Sequence, residues 1–144
     1  MLKEEELTNK ILRAYYNVYN RLGYGFLEKV YENALVLELK RMSIHGRRQV
    51  PIKVYDVGEL VGEYYADILV DDRVIIELKA AESLCEEHEA QLINYLRATS
   101  IEVGLLFNFG QKPEFRRKVF ENQYKKSVHG ESAQDESVPI RSIR

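Results

Sequence analysis

The chain has 144 residues and a mass of 16.9 kDa, which suits one compact domain and leaves little room for a second. Its single cysteine, Cys85, excludes an internal disulfide framework and any cysteine-based zinc site. With 21 Lys+Arg against 23 Asp+Glu and a net charge of −2, it is not built to coat nucleic acid by bulk charge. Its apolar runs are far too short to span a membrane, and its acidic start lacks the form of a signal peptide. The expected class is a soluble cytoplasmic domain.

Residues 3–22 place Leu7, Ile11, Tyr15, Val18 and Leu22 at helical spacing, and Gly23-Tyr24-Gly25 interrupts the pattern. A second helix is predicted over 27–42, with Leu27, Val30, Tyr31, Ala34 and Leu37 along one face and a turn at Gly46. From Gln49 the period becomes two, so 49–55 reads as a strand, and Pro51 suggests an edge strand or its irregular start. A second strand is predicted over 62–70, with Tyr64, Ala66, Ile68 and Val70 on one face and Tyr65, Asp67 and Leu69 on the other. The turn Asp71-Asp72-Arg73 then leads to a third strand, 74–79, forming a hairpin. Ser83-x-x-Glu86 matches a capping box for a helix lasting to about Ala98. Residues 101–109 read as a buried strand, and Pro113 is a candidate first residue of a last helix ending near Tyr124. Residues 127–144, poor in large apolar side chains, are predicted to be a mobile tail to a folded domain of residues 1–126. The expected order is α-α-β-β-β-α-β-α, a mixed four-stranded sheet flanked by helices.

The chemistry concentrates between Asp67 and Lys79. Glu77 and Lys79, two apart on a strand, share a face, and a three-residue loop at 71–73 sets Asp67 opposite Glu77, about 5 Å away between Cβ atoms. Two adjacent carboxylates repel unless a positive charge lies between them. A Mg²⁺ ion, content with one or two carboxylates plus water and phosphate, answers that need, and Mn²⁺ is an acceptable substitute. An ordinary ion-paired hairpin face is the competing interpretation. Against it stands the setting, since charge within the apolar run Val74–Lys79 is costly unless paired or used. The next helix carries His88, Gln91 and Tyr95 along one stripe, where His88 suits a polar helper. Tyr31 reads as core, with a hydroxyl able to reach a site carboxylate; Tyr64 and Tyr65 could stack bases; Cys85 reads as incidental.

Asp67…Glu77-x-Lys79 followed by Gln91-x-x-x-Tyr95 resembles the PD-(D/E)xK nuclease superfamily, with Ala66 where its name has proline. Gly25-x-x-Glu28-x-x-Tyr31 and the stretches 31–35, 62–67, 88–96 and 104–110 resemble, more narrowly, the GxxExxY family within it. The resemblance spans about residues 5–122. It implies a restriction-endonuclease-like fold and metal-dependent hydrolysis of phosphodiesters in DNA or RNA. By position it implies Asp67, Glu77, the Leu78 carbonyl and Glu28 as metal ligands, Lys79 as the catalytic lysine, and Gln91 and Tyr95 as accessory residues. By spacing alone, Glu28 is more simply a solvated or helix-dipole residue. A non-catalytic module on the same fold, binding nucleic acid or a protein, is the alternative, and a homodimer is compatible with either.

The net charge is unevenly distributed. Residues 54–99 hold 11 acids and 3 bases, whereas 39–53 hold 5 bases and no acid, and 111–126 hold 6 bases against 2 acids. The two basic segments are candidate phosphate-holding surfaces, with Arg47, Arg48, Arg116 and Arg117 foremost.

Overall fold

The computed structural model describes residues 2–125; the tail expected at 127–144 lies outside that range. Helix α1 (Glu5–Leu22) buries Leu7, Ile11, Tyr15 and Val18, as their spacing requires. Acidic Glu5 and Glu6 open it, where they complement the helix dipole. Gly23 ends it at φ +68, donating its N–H to the Tyr19 carbonyl at 2.8 Å.

Helix α2 (Glu28–Arg41) is turned from the expected stripe. It buries Tyr31, Leu35 and Leu39 together with two acids, Glu32 and Glu38, and leaves Leu27 and Leu37 exposed. Two contacts account for this. The Tyr31 ring stacks on Phe109, centroids 4.0 Å apart, and Glu38 accepts from Asn17, Arg21 and Arg41 at 2.8–3.0 Å, which ties α2 to α1. A buried carboxylate held by two guanidiniums and an amide is satisfied, so a polar position can face inward.

The sheet has five strands, one more than expected: β1 (Gly46–Asp56), β2 (Glu59–Val70), β3 (Val74–Lys79), β4 (Val103–Phe109) and β5 (Pro113–Val119). They lie in sequence order, antiparallel except for β3 and β4, which are parallel and joined by helix α3 (Glu86–Arg97). The helix expected from Pro113 is therefore corrected: residues 113–119 pair with β4, and only α4 (Asn122–Lys125) follows. Pro113 suits an edge strand as well as a helix start. Along β5, Phe115 packs on the core beneath α1, while Arg116 and Lys118 reach Glu89 of α3.

Helices α1 and α2 cover one face, packing on Ile68, Val70, Ile76, Leu105 and Phe107, while α3 covers the other, packing on Ile75, Leu106 and Leu69. Beneath α3, a Cβ on Gly104 would stand 2.7 Å from Leu92 Cδ1, so only glycine allows this close layer contact.

The β2–β3 hairpin has the expected register, Val70 with Val74, Leu69 with Ile75 and Ile68 with Ile76. Asp71 and Asp72 turn the chain at φ +52 and +56, a conformation that Asp tolerates better than most side chains. The expected alternation along β2 does not hold throughout. Ala66 packs beneath α3, Ile68 and Val70 pack beneath α1 and α2, and Leu69 returns to α3. The two-residue rhythm breaks at Asp67, where pairing with β1 steps from Arg48–Ile68 to Val50–Ala66, and where Gln49 adopts φ +55.

Candidate active site

Where β2 and β3 diverge beyond the Ile68–Ile76 pair, side chains complete the hydrogen bonding of both backbones. The Asp67 N–H donates to Glu77 Oε2 at 2.9 Å, and the Leu78 N–H donates to Asp67 Oδ2 at 2.7 Å. Each carboxylate thus uses one oxygen to hold the opposite strand and keeps the other for further contacts. Glu77 is only 4 % exposed. Burial, then the neighbouring Asp67, push its pKa up to about 8, and burial is also the main cause that raises Asp67. Without a cation the pair therefore resists carrying two negative charges at neutral pH.

Lys79, two residues beyond Glu77, makes no side-chain hydrogen bond or ion pair among the described residues, and its charge acts on Glu77 to oppose that rise. Glu28, in the first turn of α2, accepts the Ala80 N–H at 3.3 Å, which brings it to the end of β3. On α3, Gln91 Nε2 donates to the Tyr95 hydroxyl at 2.9 Å. Burial and then the charge of Glu77 hold Tyr95 up to about 12, so that it stays a neutral phenol.

Two members of this neighbourhood escaped sequence reasoning. Glu32 is 5 % exposed; its Oε1 accepts from Gln49 Nε2 at 2.9 Å, and its Oε2 is buried with no hydrogen-bond partner. Lys29 and Arg48 approach that oxygen to 3.8 Å. The Gln49 amide also reaches Asp67 Oδ1 at 3.4 Å. For Glu32 the signal was a second acid four residues after Glu28, one helical turn along the same face, within the stretch 31–35 that carries part of the resemblance.

Other expectations are revised. Helix α3 begins with Cys85 as its N-cap, not Ser83; His88 Nδ1 accepts the Cys85 N–H at 3.2 Å, so this imidazole closes the helix start and leaves the site to Gln91 and Tyr95. The Tyr31 hydroxyl meets no carboxylate; it donates to the Gly23 carbonyl at 2.7 Å and accepts the Phe26 N–H at 3.2 Å. Of the four arginines, Arg47 pairs with Asp72 at 2.6 Å, Arg48 lies by Glu32 and Asn33, and Arg116 pairs with Glu89 and Glu114. Arg117 donates to the Lys3 carbonyl. Arg116 and Arg117 leave β5 on opposite faces, so the four do not form one patch.

Among the described residues no group of three or more His, Cys, Asp or Glu side chains is arranged to hold a metal ion. The donor set at Asp67 and Glu77, two carboxylates of which Asp67 Oδ1 carries only the long 3.4 Å contact from the Gln49 amide, supplies oxygen donors only and still fits a hard divalent cation that keeps most of its water. A closed, all-protein cage is not what this site offers.

A family model for the PD-(D/E)XK nuclease superfamily matches residues 5–118. The chain belongs to this superfamily. The match runs from the start of α1 to the end of β5 and so contains every residue placed at the site above. In fold, the chain is similar to the crystal structure of SSO0001, with a TM-score of 0.51 and 17 % sequence identity over 77 % of this chain. This chain spans 59 % of the length of that protein. No curated protein matches. No helix among the described residues is long and apolar enough to cross a membrane.

Proposed function

We propose that the chain is a cytoplasmic, metal-dependent nuclease of the GxxExxY family, hydrolysing phosphodiester bonds in DNA or RNA. The observation that carries this is the exchange of hydrogen bonds between β2 and β3, which holds the Asp67 and Glu77 carboxylates side by side in the fold, with the unpaired ammonium of Lys79 next along the strand. Asp67 and Glu77 would hold Mg²⁺ or Mn²⁺ with the Leu78 carbonyl, and Glu28 would join directly or through water. A bound cation there supplies charge neutralisation at phosphorus and a more acidic water. Lys79 balances the charge that grows on the non-bridging oxygens as the P–O bond to the leaving group breaks. Gln91 and Tyr95, joined by their own hydrogen bond, offer neutral donors to the phosphate from the other side. Of the four arginines, Arg48 is the one beside Glu32; Arg47, Arg116 and Arg117 serve as outlying phosphate contacts, which predicts salt-dependent binding.

Incubation with DNA and RNA substrates plus Mg²⁺ or Mn²⁺ tests the proposal, with Lys79→Ala as the control. Cleavage by the wild type alone is expected; cleavage equal to that of the control refutes it. The absence of a three-ligand cluster among the described residues favours a second reading, a non-catalytic binding module. Titration calorimetry with Mn²⁺ separates the two. A nuclease binds the ion weakly and loses it in Asp67→Asn, whereas the module takes up none.

A further inference from the structure

Two clefts open on the two sides of the proposed catalytic centre. The first, of roughly 600 Å³, lies between the α1–α2 loop and the end of β3, lined by Tyr24, Phe26, Leu27 and Glu28 on one wall and by Ala80 and Gly110 among others on the opposite wall. The second, of roughly 570 Å³, lies between the β1–β2 hairpin and α3, lined by Val61, Tyr64, Glu87, Gln91 and Tyr95 among others. Glu28 belongs to the first cleft and also bonds the backbone at Ala80. Tyr95 belongs to the second and packs in one cluster with Ala66, the residue before Asp67. The clefts therefore flank the carboxylates.

Both present aromatic faces to solvent. Tyr24 is 57 % exposed and Phe26 48 %, and Tyr64, tilted on Tyr95 with centroids 5.7 Å apart, is 48 % exposed. The first cleft is also pre-formed. The Tyr31 hydroxyl ties Gly23 to Phe26 across the loop. On the facing wall the fully buried Asn108 amide grips both the N–H and the carbonyl of Ala81, at 2.9 and 3.0 Å. The Tyr19 hydroxyl holds the Gly110 carbonyl at 2.6 Å. Rings kept in water on pinned backbone mark a binding surface rather than an incompletely folded core.

Charge decides what that surface takes. Neither cleft has a Lys or Arg in its lining, and each has carboxylates, Glu28 and Glu82 in the first and Glu87 in the second. Phosphates are repelled there, but neutral flat rings are not. We propose, resting on the nuclease reading above, that the substrate is single-stranded nucleic acid, whose bases stack on Tyr24 and Phe26 in one cleft and on Tyr64 in the other. The phosphate between those bases lies at Lys79. In a duplex the base faces are stacked on one another, so it cannot enter either cleft without being unstacked.

Anisotropy titrations in Ca²⁺ with a short labelled single strand, its duplex and an abasic strand of equal length test this. The single strand is expected to bind more tightly than both others. Tyr24→Ala is expected to weaken it by about 5- to 100-fold, with Tyr24→Phe close to wild type; Tyr64→Ala acts likewise from the second cleft. Duplex or abasic binding as tight as the single strand, no binding to any strand, or unchanged affinity in both alanine variants overturns the proposal. Cleavage of duplex in Mg²⁺ alongside any of those results leaves the nuclease standing without its single-strand preference. Tight, Tyr24-dependent strand binding without cleavage leaves the reverse.

Discussion

Replacing Glu77 by glutamine is expected to make the metal-free protein more stable at alkaline pH while abolishing the proposed cleavage. In the fold this carboxyl titrates near 8, raised from 4.5 by burial and by Asp67. Between those two values the folded state holds a proton that the unfolded chain releases. Wild-type stability from this group is thus complete below the unfolded pKa and is lost as pH rises through about 8. At ~1.4 kcal/mol per unit, the shift corresponds to at most about 5 kcal/mol. Glutamine keeps an oxygen for the Asp67 N–H, and the value of about 8 already includes what that bond does for the charged form. With about 5 kcal/mol as the upper bound, the gain at pH ~9 is about 2–4 kcal/mol, or a melting temperature higher by roughly 5–15 °C, shrinking to nothing near pH ~5. Thermal unfolding followed by circular dichroism in chelator, from pH ~5 to ~9, measures it. Adding Mn²⁺ should then raise the melting temperature of the wild type and not of the variant. A difference that does not change with pH, or a variant less stable than wild type at pH ~9, refutes the argument that burial strains this carboxylate.

Two further substitutions probe the packing that supports the site. Gly104→Ala places a methyl group against the buried Leu92 and should cost about 1–3 kcal/mol in urea unfolding; a neutral result would show that α3 can lift from β4. Asn108→Ala removes both hydrogen bonds to Ala81, leaving the Ala81 N–H and carbonyl without their partner. It should cost about 2–4 kcal/mol, and hydrogen exchange at Ala81 should accelerate, whereas unchanged protection there would refute the assigned role.

The part of the site carried by one hairpin was legible in the sequence, because the loop at 71–73 counts out the register and a two-residue period aligns Glu77 with Lys79. What joins the site through tertiary contact was not. Glu32 and Gln49 meet across 17 positions of sequence, and no local period announces a buried acid on an otherwise charged helix. For α2 the apolar stripe misled, since Glu38 is drawn inward by partners on α1. Strand β5 was misread because its positions facing α3 carry Glu114, Arg116 and Lys118, charges satisfied by one another and by that helix. An edge strand with so few apolar side chains shows its alternation only once that helix is in place.

The turn at Asp71-Asp72-Arg73 touches none of the carboxylates, yet it governs them. Side chains on a strand change sides at every step, so one residue more or less in that turn would carry Glu77 to the α1–α2 side of the sheet while Asp67 stayed where it is. The two strands would still pair, and much of the core could repack around them. The turn is thus a measuring device, and its length decides whether the two carboxylates meet at the far end of the ladder.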